Sequence, residues 1–177
     1  IDEVSKAASK SDCSLPNVCK REDHSNLIED DNFLLRKAIH QRRSAVAMDG
    51  KTQIARDTFY QFLIKTVPSA CPLPFQTFPW EPQVHLGLFV HRIDDLPRGV
   101  YILVRNKNHL EDLKSTFSKH FKWEKPEGCP YELDLFLLEE YDCRRMAEGV
   151  SCGQEIAGAG CFSLGMISAF EEPLKNY

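Results

Sequence analysis

The sequence predicts an α+β fold, on three observations. Residues 84–91 alternate, with Val84, Leu86, Leu88 and Val90 on one side, which is the period of a strand. Leu96-Pro97-Arg98-Gly99 then turns the chain and Val100 to Val104 returns as a second apolar run, so the two strands pair as a hairpin or lie as near neighbours. Helical apolar spacing occurs before and after this unit, but strands and helices do not alternate in the regular βαβ rhythm of a parallel sheet.

The elements follow in order. Residues 1–30 are polar, rich in Ser, Lys and Asp, and read as a flexible lead-in to a domain over 31–177. Asp31 caps a helix carrying Phe33, Leu34, Ala38 and Ile39, which ends at Gln41-Arg42-Arg43-Ser44. Asp49-Gly50 is a turn signal. A second helix covers Ile54 to Val67, with Phe59, Phe62, Leu63 and Val67 near one face. Pro68, Pro72, Pro74, Pro79 and Pro82 make the next stretch an ordered loop, since each removes a backbone donor and restricts its predecessor; Phe75, Phe78 and Trp80 are placed to pin it. After the hairpin, Asn108 to Phe117 reads as a short helix with Leu110, Leu113 and Phe117 inward. Phe121 to Tyr131 is a loop. A helix follows Asp142, and Cys152 to Ala159 extends helical character. Cys161 to Phe170 is apolar enough for a buried strand or a helix.

Bulk properties exclude several classes. With 177 residues the chain suits one compact domain. A net charge of -4 provides no sustained basic field, which argues against a general nucleic-acid binder. No run of eighteen apolar residues marks a membrane span. Seven cysteines at irregular spacing, with no CxxC pair, argue for a reducing, intracellular compartment and against a disulfide framework or a zinc ribbon; a Cys13–Cys19 bridge is the one local pairing the spacing allows. The chain opens at Ile1 without Met and stops soon after Phe170, at Tyr177, which reads as a fragment.

Arg42, Arg43 and Ser44 are the strongest candidate site. Guanidinium groups hold phosphate with forked, charge-assisted hydrogen bonds, and a hydroxyl adds a short donor. The plain alternative is a solvated helix end, where basic residues complement the helix dipole. Phe75, Phe78 and Trp80 offer a wall for a planar ring, or simply anchor their loop. His85 and His91 share a strand face but cannot both ligate one metal unaided, and read as edge-strand histidines; His109 and His120 lack partners at metal-site spacing. Gln154 has an amide able to bond an inward-facing polar ligand, next to Gly158 and Gly160, which permit close backbone approach or helix packing. Glu139, Glu140 and Asp142, followed by Arg144 and Arg145, read as a solvated helix surface. Cys152 as a reactive thiol has no neighbouring group in sequence to activate it.

Three ordered stretches resemble the nitroreductase-like FMN-dependent family, in its azoline oxidase and dehydrogenase branch. They are Ile39-His40-Gln41-Arg42-Arg43-Ser44 with Asp49-Gly50; 84–92 with Leu96-Pro97-Arg98-Gly99-Val100-Tyr101; and Ser151-Cys152-Gly153-Gln154-Glu155-Ile156-Ala157. The resemblance covers about Asn32 to Phe170 and implies a mixed or antiparallel sheet flanked by helices, incomplete in this chain. It also implies a homodimer with FMN at the subunit interface, reduced nicotinamide or substrate as electron donor, and a small organic acceptor. Arg42 and Ser44 would hold the FMN phosphate, with Arg43 nearby, and Gln154 is the further candidate for cofactor binding. Two departures stand out. Val46 occupies a position where many members carry a basic residue, and Ser69 only loosely matches the polar residue before the first strand. Two readings follow: an FMN-dependent oxidoreductase, or a catalytically inactive interaction domain on the same fold that needs a partner or a further C-terminal part.

Overall fold

The computed structural model describes residues 36–70, 72–170 and 174. The polar lead-in, the Cys13–Cys19 pairing and the Asp31 cap with Phe33 and Leu34 lie outside these residues. The chain divides into two units, residues 1–44 and 45–177. In the first, residues 36–41 are helical and Arg42 N–H bonds Ala38 O at 2.9 Å. The helix stops at Gln41, so Arg42, Arg43 and Ser44 lie past its end rather than within it. Ala38 and Ile39, expected on an apolar stripe, are exposed.

The second unit contains α1 (Arg56–Ile64), a single-turn α2 (Pro72–Phe75), β1 (His85–Val90), β2 (Gly99–Leu103), a 3₁₀ turn (Lys107–His109) running into α3 (Leu110–Thr116), β3 (Leu135–Glu140), α4 (Arg144–Val150), α5 (Ile156–Ala159) and β4 (Phe162–Ile167). The strands form one antiparallel sheet in the order β3-β2-β1-β4. The sheet is fully antiparallel and β1 lies inside it, so His85 is not on an edge strand.

Directly opposed residues of antiparallel strands point to the same side, and this splits the core in two. Leu88 faces Tyr101 on one neighbour and Leu164 on the other. Leu86, Leu88, Val90, Tyr101, Leu103, Leu135 and Leu137 therefore share a face, which α1 covers with Phe59, Tyr60 and Leu63. That 59–60–63 spacing is one face of a helix. Phe62 points away and is half exposed, against the sequence expectation. Pro68 follows Val67, and Thr66 Oγ1 donates to Leu63 O at 2.7 Å, which closes the helix end. On the opposite face Ile102, Val104 and Leu138 pack with Phe117, Trp123 and Phe136, and α3 turns Leu110 and Leu113 onto them as expected. A register shift between Val100 and Tyr101 accommodates an extra β3 residue and keeps both faces apolar.

Further expectations are corrected. The proline-rich loop contains the α2 turn, and its Phe78 and Trp80 are exposed rather than buried. Glu139 and Glu140 end β3, a strand the sequence reading did not place, and are not part of a helix surface. Helical character does not run on from Cys152: Cys152 and Gly153 both have positive φ (57° and 74°), a left-handed turn that separates α4 from α5. The apolar run after Cys161 is a strand, but β4 lies at the sheet edge.

Candidate functional site

Arg42, Arg43 and Ser44 are all exposed. The Arg43 guanidinium folds back onto its own chain, with one nitrogen donating to Gln41 O at 3.3 Å and to Arg42 O at 3.1 Å. Among the described residues no carboxylate pairs with Arg42 or Arg43. Gln154 belongs to the other unit, in the turn between α4 and α5, where its backbone N–H bonds Ser151 O at 3.2 Å and its side chain is exposed. Val46 is 94% exposed and Ser69 is exposed. Arg42 and Ser44 are thus exposed and without a side-chain partner among the described residues, while the Arg43 guanidinium is partly occupied by backbone oxygens.

The buried polar groups of the 45–177 unit are organised around two histidines. His85 is 2% exposed. Its Nδ1 accepts from the Arg105 backbone N–H at 3.2 Å, so in the neutral ring the proton sits on Nε2. That Nε2–H is 3.1 Å from His109 Nδ1, which must accept. The two rings meet edge to face at 5.3 Å. Burial, then the neighbouring His109 and Arg105, push the His85 pKa down. His91, equally buried, donates Nε2–H to Ala157 O at 2.9 Å, and its Nδ1 lies 3.6 Å from Cys143 Sγ. Burial lowers its pKa too, and raises that of Cys143. A thiol beside an imidazole is a nucleophile arrangement in outline. Cys143, however, is fully buried and also 3.3 Å from Gly99 O, so it is a packed core group. Cys152, the thiol considered from sequence, is exposed.

Arg105 is a third organising residue. Its Nε donates to Thr66 O at 2.7 Å and one terminal nitrogen to Val84 O at 3.0 Å, while the guanidinium lies 5.2 Å from the Phe75 ring. It forms one wall of a hollow of about 190 Å³ with Phe75, Phe78 and Trp80. Phe75, Phe78 and Trp80 thus line one small hollow together with the Arg105 guanidinium. A larger cavity, about 500 Å³, lies between α3 and the end of β4 and is lined by His85 and His109.

The sequence reading passed over Arg105 and the His85–His109 pair. The hairpin carried the signal: the register that pairs Leu86 with Leu103 brings the chain just past β2 back alongside His85. Among the described residues no group of three or more His, Cys, Asp or Glu is placed to hold a metal, and no helix is long and apolar enough to cross a membrane. Comparison with family models, curated proteins and solved structures returned no match.

Proposed function

We propose that this chain is part of an FMN-dependent oxidoreductase of the nitroreductase-like kind, acting as a homodimer that takes electrons from reduced nicotinamide or substrate and passes them to a small organic acceptor. The observation that carries the reading is the exposed Arg42–Ser44 pair, with no carboxylate competing for the guanidinium among the described residues. A planar guanidinium offers two parallel N–H donors to one phosphate and a hydroxyl offers a third. This donor set fits the phosphate end of FMN. Arg43 contributes charge, and its self-bonded nitrogen would exchange a carbonyl for a phosphate oxygen. Gln154, with its exposed amide, is the candidate for a polar edge of the ring. Bound flavin would supply the electron transfer, and the protein's part is to hold and orient it.

Titrating the purified protein with FMN, followed by flavin fluorescence, tests this. Arg42→Ala is expected to weaken binding at least about tenfold, the scale of one lost charge-assisted hydrogen bond. Unchanged affinity in the variant, or no FMN uptake by the parent protein, refutes the assignment.

A non-catalytic interaction domain is the second reading, favoured by the β4 edge. Leu164 and Met166 are 50% and 78% exposed, and residues 161–170 carry no charge. Exposed sheet edges are normally blunted by charge or proline. Copurification with a stoichiometric protein partner and no flavin would select this reading.

A further inference from the structure

The cavity between α3 and the end of β4 combines three features that together specify a ligand. Its volume, about 500 Å³, is in the range of small-molecule sites. Its walls are apolar where Leu113, Phe117, Ile167 and Phe170 line it, which suits a flat hydrophobic body. Its floor carries the His85–His109 pair, whose proton positions are fixed by the backbone. Because the Arg105 N–H occupies His85 Nδ1, His85 donates and His109 Nδ1 accepts. The neutral His109 ring then carries its proton on Nε2, and that nitrogen has no hydrogen-bond partner among the described residues. The hydrogen-bonded pair is uncharged and offers one remaining donor. Protonating His109 at Nδ1 would remove the acceptor that His85 uses.

The charges around the cavity narrow the choice further. No Lys or Arg lines it, so an anion finds no counter-ion there, and Asp112 adds a repelling carboxylate. We propose that this cavity binds a small, flat, uncharged aromatic or heteroaromatic molecule whose carbonyl oxygen or ring nitrogen accepts the His109 Nε2–H. This site is built wholly from residues of the 45–177 unit and does not depend on flavin.

Benzamide is the test probe, with benzoate, benzylammonium and toluene as controls of matched ring size. Histidine ring nitrogens are followed by ¹⁵N NMR in the flavin-free protein during titration. Benzamide is expected to bind at about millimolar affinity, the scale for so small a molecule, and to shift the His109 Nε2 resonance. Benzoate should bind at least about tenfold more weakly, because no cation lines the cavity and Asp112 repels it; benzylammonium, which Asp112 attracts but which carries no acceptor, should leave the His109 Nε2 resonance in place. In His109→Phe, benzamide should weaken about tenfold while toluene binding is unchanged. Tryptophan emission reports whether that variant folds, and the parent titration stands without it. A His109 ring unmoved by saturating benzamide, benzoate binding as tightly as benzamide, or a His109→Phe variant that binds benzamide normally would each overturn the proposal.

Discussion

Lowering the pH from 7.5 to 5.5 should cost this protein stability in proportion to its two buried histidines. His85 and His91 are each 2% exposed. The groups facing His85 are His109 and Arg105; those facing His91 are Cys143, Arg92, Arg144 and, opposing them, Asp142. Burial and the adjacent cations hold both folded pKa values below the ordinary imidazole value. In the unfolded chain each ring titrates near its usual value of about 6.5. The unfolded state therefore takes up protons first. The stabilisation is complete above about pH 6.5 and declines as pH falls toward the folded values. Each proton bound only by the unfolded state gives a slope of at most about 1.4 kcal/mol per pH unit, so the pair gives at most about 2.7 kcal/mol over the unit below pH 6.5. Against a total stability of about 5–15 kcal/mol, that is readily measured. The depressed carboxylates act elsewhere. Asp49 is held down to about 2 by the Thr52 hydroxyl and the Lys51 and Thr52 N–H groups, and Asp142 is held down by Arg144, so both titrate below this window. Urea unfolding followed by tryptophan emission at half-unit pH steps gives the slope. Equal stability at pH 6.5 and 5.5, or ring ¹⁵N shifts showing both imidazoles protonated in the folded protein at pH 6.5, would refute the assignment of neutral, backbone-locked rings.

Two buried tyrosines should respond oppositely to loss of their hydroxyls. Tyr101 Oη donates to Pro97 O at 2.7 Å, so Tyr101→Phe should cost about 1 kcal/mol in urea unfolding, whereas the Tyr60 hydroxyl is buried without a partner and Tyr60→Phe should be neutral or stabilising. A stability loss in Tyr60→Phe matching that in Tyr101→Phe would contradict the bonding pattern. Gly99→Ala should destabilise by at least about 2 kcal/mol, because a Cβ there would collide with the Glu139 backbone oxygen across the β2–β3 pair, where neither chain has room to move. A thermal midpoint equal to that of the parent would show that the strands separate more easily than their packing implies.

The sequence alone determined the hairpin, the inward face of α3 and, for α1 and the residues just after it, the inward Phe59, Leu63 and Val67 but not Phe62 or Tyr60, because these depend on short-range periodicity and turn chemistry. Leu86, Leu88 and Val90 alternate, and Leu110, Leu113 and Phe117 recur at helical spacing, whatever surrounds them. β3 was missed although Leu133, Leu135 and Leu137 alternate, because the following acidic residues suggested a solvated helix. Only the tertiary structure decided what the buried polar groups do. The proton on His85 is set by a backbone N–H twenty residues away in sequence, delivered by strand register, and its partner His109 arrives on a separate turn. Hydrogen-bond direction is a property of groups brought together across the chain, and no local pattern encodes it.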